Sequence, residues 1–262
     1  MENCEFCFEF SSSKRNNATF FQQIFPHLQD RILLETKNFV VVPSLGQIVE
    51  GYLLIITKSH FSSMGEIPSH LYSELDWVIE HSSEVLQTAY DVDSIQFEHG
   101  PSSPFQGGGC CIDHAHLHIV PFNVNIDLNI AVRETYEASG YPATAKSFLL
   151  QRKPYLYIKF PQTSGRGSVL LDSTELPSQF MRRVIAKVIG KEDKWDWNIF
   201  LGKKEIESCL VKLKPLFAQV EKKYIEKSRC SGSGISVNPH FPCSSQDDQE
   251  ASLCVDTRNG KT

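Results

Sequence analysis

Between residues 112 and 121 the chain reads Ile-Asp-His-Ala-His-Leu-His-Ile-Val-Pro, and this run constrains the fold more than any other. Histidines at 114, 116 and 118 alternate with Ala115, Leu117 and Ile119. A period of two belongs to a β-strand, where successive side chains point to opposite faces. The spacing predicts a strand over 112–121 with three imidazoles on one face and three apolar side chains on the other. At about 3.3 Å of rise per residue, the three rings lie within roughly 14 Å. Each needs hydrogen-bond partners if buried, so a plain core does not account for them. The run also follows a glycine- and proline-rich loop, Gly100 to Gly109. The histidine face is therefore read as chemical. A solvated row is the bland alternative, and a metal-binding row, as in a zinc hydrolase, is the rival.

The rest of the chain limits what that chemistry serves. At 262 residues it accommodates one large domain, or one domain plus an elaboration. An apolar fraction of 41% supports a core without disulfide help. A net charge of -5 gives no broad basic surface for duplex nucleic acid. The N-terminus, Met-Glu-Asn-Cys-Glu-Phe-Cys, lacks the positive region and apolar run of a signal peptide. The densest apolar stretch, Tyr52 to Ile56, is too short to span a bilayer. The expectation is a cytoplasmic protein with no membrane partner. Its eight cysteines are then read as ligands or free thiols before disulfides.

Hydrophobic periodicity supplies the order of elements. Residues 31–43 hold two β-type runs split by Lys37-Asn38, and 51–57 is a third. Leu71, Leu75, Val78, Ile79, Leu86 and Ala89 follow Pro68-Ser69 at helical spacing, predicting a helix over about 69–90. A strand over 93–98 and the histidine strand come next. Short links between strands, with few helices, predict an α+β class with a mainly antiparallel sheet. Beyond 125, strands are expected at 147–151, 155–160 and 169–171. Pro177 opens a helix stopped at Gly190, and a last helical region, 203–227, is broken or kinked at Pro215. The division expected is 1–125 as a catalytic domain, 126–228 as a C-terminal α/β extension packed on it, and 229–262 as a disordered tail.

Cys4-Glu5-Phe6-Cys7 is a Cys-x-x-Cys knuckle, read in an intracellular protein as half a zinc site or as a redox pair. A redox pair is expected after a strand and opening a helix, whereas this one stands at the extreme N-terminus. A zinc site needs two further ligands.

The segment Gly107-Gly108-Gly109-Cys110-Cys111-Ile112-Asp113-His114-Ala115-His116-Leu117-His118-Ile119-Val120-Pro121 resembles the signature of the histidine triad superfamily of nucleotide hydrolases and nucleotidylyltransferases. The upstream order of elements agrees, including an aliphatic strand ending in Thr57-Lys58-Ser59-His60. The resemblance covers about residues 4–122. It implies an enzyme in which His116 attacks the phosphorus of a nucleoside phosphate ester, anhydride or amidate, giving a nucleotidyl-histidine that water or an acceptor resolves. It gives His118 to the phosphate oxygens and to assisting the leaving group. Backbone amides around Gly108, Gly109 and Cys111 would cradle the phosphate. Apart from the resemblance, Glu98 and His99 are read as substrate contacts or, equally, as a plain loop edge. By the same resemblance, Cys4, Cys7, His60 and His114 would form a structural zinc site, with His99 as the next choice of ligand. The transferase branch carries glutamine where this chain has His118, so hydrolysis is the first expectation.

Two features depart from the family pattern. Relatives hold the ribose hydroxyls with an acid just after the second strand, where this chain reads Val42-Pro43-Ser44. The loop edges read Glu98-His99-Gly100 and Cys110-Cys111. The partner expected is a small nucleotide-like molecule, and the resemblance allows a homodimer. Arg152, Lys153, Arg182 and Arg183 are available for phosphate. Residues 177–197 resemble the C-terminal region of CwfJ-like proteins. The alternatives are a nucleotidyltransferase or phosphorylase, a non-catalytic CwfJ-like RNA-associated protein, and a zinc hydrolase using all three histidines as ligands.

Overall fold

The computed structural model describes residues 4–10, 18–101, 112–122, 136–137, 141–161 and 167–230. Residues 1–225 form one compact unit. Of a second, 226–262, only the first few residues are described, and the tail expected over 229–262 lies outside the described residues from 231 onward.

The expected α+β class holds. Among the described residues, eight strands form one sheet: β1 (Leu34–Glu35), β2 (Phe39–Pro43), β3 (Leu53–Thr57), β4 (Ser94–Gly100), β5 (His116–Pro121), β6 (Tyr136–Glu137), β7 (Tyr155–Lys159) and β8 (Ser168–Asp172). Their spatial order is β1-β2-β3-β5-β4-β7-β8-β6, and every pairing is antiparallel. The helices are α1 (Glu5–Phe10), α2 (Phe20–Ile24), α3 (Tyr72–Tyr90), α4 (Ala145–Leu150), α5 (Phe180–Val188) and α6 (Lys203–Cys230).

The crossover through α3 decides where the histidines sit. It returns the chain from β3 to β4 so that these strands run parallel, one strand width apart. β5 fills the gap, with His116 opposite Ile56, and His118 between Leu54 and Phe97. A strand placed there is held on both edges, which fixes its side-chain positions tightly. Both faces are also covered, which is why β3 reads Leu-Leu-Ile-Ile rather than alternating. Leu53, Ile55, Leu117 and Ile119 pack into the core beneath α3 and α6. Leu54, Ile56 and Phe97 face the opposite core, with Met181, Val184 and Ile185 of α5. α3 ends where Asp91 takes a left-handed conformation at φ 54°.

The sheet continues across residue 125: β7 pairs with β4 over five residue pairs, from Gln96↔Lys159 to Gly100↔Tyr155. The extension thus adds strands to the sheet and lays α5 over the histidine face. One expectation fails here, and one of the two alternatives at Pro215. Residues 147–151 are not a strand, because 145–150 form α4. Its Ala145 and Phe148, one turn apart, are both buried, and so short an apolar run has no decisive period. Pro215 does not break α6, which runs through it. The carbonyl that proline deprives of a partner belongs to Val211, a residue 79% exposed, so water is at hand.

β4 also carries a buried acid on the face away from the histidines. Glu98 accepts hydrogen bonds from the Met64 amide at 2.6 Å, Tyr141 at 2.6 Å and Tyr155 at 2.5 Å. It therefore ties strand, α4 approach and the 63–65 turn together, which favours a structural role for it over a substrate contact. Burial pushes its carboxyl up to about 7. A carboxyl whose folded pKa exceeds its unfolded one contributes stability below the unfolded value, and that stability is lost as pH rises through about 7. Between about pH 5 and pH 8 the wild-type protein should therefore lose on the order of 2–3 kcal/mol relative to Glu98→Gln, which has no charge to form. Urea unfolding of both proteins across that range measures it, and a gap independent of pH would refute it.

Candidate functional site

His114 precedes β5 rather than lying in it, which corrects the expectation of three histidines on one strand face. Two backbone bonds hold this bend: the His114 amide donates to Ile112 O at 2.8 Å, and the Ala115 amide to Phe61 O at 2.6 Å. The ring consequently turns toward the N-terminal helix. Its Nε2 lies 2.6 Å from the Thr57 carbonyl, which can only accept, so the ring proton is on Nε2 and Nδ1 presents a lone pair. That Nδ1 lies 3.3 Å from Cys4 Sγ and 3.5 Å from Cys7 Sγ, while His60 Nδ1 lies 3.3 Å from Cys7 Sγ. The four donor atoms fall within 4.8 Å of one another.

This geometry fits a tetrahedral ion. With Zn–S of about 2.3 Å and Zn–N of about 2.0 Å, an S···N edge of the tetrahedron is about 3.5 Å. Two thiols and two imidazoles are the donor set zinc prefers, and the Thr57 carbonyl behind His114 is the outer contact that fixes a metal-binding tautomer. Burial, then His60 and His116, push His114 down to about 4, so it is neutral and free to ligate. Cys4 and Cys7 are both half-buried. His99 is not in this cluster; its Nε2 accepts from the Met181 amide at 3.4 Å.

His116 is oriented by a different acceptor. Its Nδ1 lies 2.6 Å from the His114 carbonyl, so the proton is on Nδ1 and the lone pair on Nε2. Burial lowers its pKa, keeping the ring neutral near pH 7. His118 stacks on Phe97 at 4.3 Å and 8°, and its Nδ1 meets the Tyr52 hydroxyl at 2.8 Å. Burial, with His116, His99 and Arg182 nearby, holds it well below the ordinary histidine range. The two rings are 4.8 Å apart. Among the described residues, neither belongs to a cluster of metal-type ligands, which removes the support for three histidines on one ion.

His99, His116 and His118 open onto one cavity of about 320 Å³. Its apolar wall includes Phe6, Leu45, Leu54 and Trp197. Its polar wall includes Arg31, Ser44, Gln179 and Arg182. Phe6 joins the two centres: its ring makes edge contacts with His114 at 5.8 Å and His116 at 5.5 Å. The expected phosphate-binding residues Gly108, Gly109 and Cys111 lie outside the described residues. Where no acid follows β2, α1 brings one that is already paired. Glu9 binds Arg31 through two bonds of 2.7 Å, and Arg31 donates to the Pro43 carbonyl at 2.8 Å.

Of the four basic residues considered for phosphate, Arg182 reaches the cavity. Arg183 lies over the Trp195 ring at 3.4 Å, and Lys153 pairs with Asp172 at 3.2 Å. Tyr52 and Thr57 were not singled out from sequence. Their roles come from what each hydroxyl or carbonyl faces across the sheet, which no local pattern encodes.

No protein-family model matches the chain, and no curated relative does. Solved structures do. One is a zinc-bound histidine triad family protein from Mycobacterium smegmatis, 16% identical, with 57% of this chain and 95% of that one covered at a TM-score of 0.34. Another is a histidine triad nucleotide-binding protein from Sulfolobus tokodaii, 20% identical, with 52% and 88% covered at 0.32. A third is a member of the same family from Bacillus subtilis, 14% identical, with 57% and 94% covered at 0.34. The proteins this chain is similar to are those of the histidine triad family.

Proposed function

We propose that the chain is a histidine triad enzyme that hydrolyses a nucleotide-like phosphate ester, anhydride or amidate through a covalent nucleotidyl-histidine intermediate on His116. The observation carrying this reading is the 2.6 Å contact between His116 Nδ1 and the His114 carbonyl, on a residue that lines the cavity. It leaves Nε2 deprotonated and aimed where a substrate can enter. A neutral imidazole is both a good nucleophile and a good leaving group, so one hard displacement becomes two easier ones. Nε2 attacks phosphorus, the P–O or P–N bond breaks with the leaving group taking a proton from solvent in the cavity, and water then displaces the imidazole and gives its proton back to solvent.

His118 serves this as a hydrogen-bond donor. His118 Nδ1 lies 2.8 Å from the Tyr52 hydroxyl, which can donate or accept; in the tautomer where the hydroxyl donates, the ring proton is on Nε2 and can meet a phosphate oxygen. Its lowered basicity argues against His118 as the leaving group's proton source. Cys4, Cys7, His60 and His114 would hold zinc, which supplies a structural crosslink and, with four protein ligands, no open position for substrate. Water is favoured over another acceptor because His118 stands where the transferase branch carries glutamine.

The test is to mix the protein with labelled nucleoside phosphoramidates, dinucleoside polyphosphates and nucleotide sugars, quench rapidly, and look for an acid-labile, alkali-stable adduct. An adduct mapped to residues 114–118 supports the reading. Turnover with no adduct at any quench time, and unchanged in His116→Ala, overturns it.

A further inference from the structure

We propose that Arg182, brought to the cavity by α5 from outside the histidine motif, is a substrate-binding residue that grips a second anionic group of the substrate, beside the phosphorus that His116 attacks. This deepens the reading above and rests on it.

Arg182 is 4% exposed, yet no carboxylate among the described residues lies within ion-pair distance of it. Its Nε–H donates to the Trp195 carbonyl at 2.7 Å and an Nη2–H to the Gly46 carbonyl at 2.6 Å. The guanidinium carbon lies 5.3 Å from the centre of the Tyr52 ring. Two neutral acceptors and a ring face thus fix the fork without a direct ion pair; the Asp196 carboxylate feels its charge from beyond ion-pair distance. A guanidinium has five N–H donors, and the pair on Nη1 is not engaged by these contacts. A buried cation left without an anion is costly, so chains that bury arginine normally pair it. This chain does so at Arg31, in the same cavity wall, with a two-bond Glu9 partner.

The backbone has also made room for this side chain. Gly46 adopts φ +67°, and a β-carbon there would lie 2.7 Å from Arg182 Nη2. Position along the wall then suggests what is bound. Tyr52 is 5.6 Å from His118 and 5.3 Å from Arg182, and His118 is 4.8 Å from His116. Arg182 is thus linked to the histidine pair through Tyr52 on the His118 side, and its charge is felt at His118. An adjacent phosphoryl group has the planar pair of oxygens that a guanidinium fork binds best.

Binding, rather than turnover, tests this. Titrate adenosine and uridine mono- and diphosphates into the zinc-loaded wild type, Arg182→Lys and Arg182→Gln at constant ionic strength. The wild type should prefer diphosphates by about tenfold or more, and both variants should bring that preference within about threefold while monophosphate affinity holds. A wild-type preference under about threefold, or one that survives in both variants, overturns the assignment. If neither variant folds, phenylglyoxal labelling of the wild type decides: diphosphate but not monophosphate should protect Arg182, and equal or absent protection overturns it. Preference without His116-dependent turnover would sink only the proposed hydrolysis. Turnover without preference would sink only the role of Arg182.

Discussion

Replacing His116 with alanine is expected to lower turnover of any substrate the protein accepts by on the order of 10⁴-fold or more, with the zinc content unchanged. The size follows from the role. If the imidazole forms the bond to phosphorus, its removal forces direct attack by water, and the remaining groups act on a different and slower reaction. Zinc should stay because His116 offers the cluster nothing: its Nδ1 is committed to the His114 carbonyl. Folding should survive because the ring lines a cavity and supports no other described side chain by hydrogen bond. His118→Ala should fall less, by about 10²–10³-fold, since it removes a donor to a charged oxygen and not the nucleophile. Single-turnover assays with metal analysis on each variant measure both. His116→Ala at wild-type speed, or His118→Ala as severe as His116→Ala, contradicts the division of labour.

That division was only partly legible in the sequence. The alternation of 114–118 gives the strand and its two faces, and the fold class follows from the spacing of elements around it. His116 and His118 do share the cavity face of β5. His114 does not share it, because whether a residue belongs to a strand or to the bend before it depends here on a hydrogen bond from the next residue, Ala115, to Phe61, far away in sequence. The knuckle at Cys4 and Cys7 announces a metal site, and the resemblance supplied His60 and His114, which the fold brings together. Arg182 shows the opposite case. On a helix its sequence neighbours make it look like one of several surface cations, and only the passage of α5 over the histidine face separates it from Arg183. The acid missing after β2 is similar: the wall there is rebuilt by Arg31 with Glu9, and pairing between a loop and a helix leaves no periodic trace.

Changing both Cys4 and Cys7 to serine should drop bound zinc from about one per chain to near zero and lower the melting temperature by roughly 10 °C or more. Structural zinc in isolated small motifs is worth about 10–16 kcal/mol of apparent binding energy. In a chain with its own core, most of the fold persists without it, so the loss falls on what the ligands anchor. That is α1, six residues long and too short to be stable alone. Its release removes Phe6 from between His114 and His116, and Glu9 from Arg31, leaving that buried guanidinium without its carboxylate. Unpairing a buried charge costs about 3–5 kcal/mol, which at 2–4 °C per kcal/mol for a domain this size gives the expected shift. Activity should fall with it, because the wall beside the nucleophile is lost, whereas His60→Ala, which removes a ligand but neither thiol, should do so less completely. Metal analysis, thermal unfolding and turnover on the same samples make the comparison. Metal-free protein that melts and turns over like the wild type would show that α1 is held by packing alone and that the four-residue cluster has no structural ion to serve.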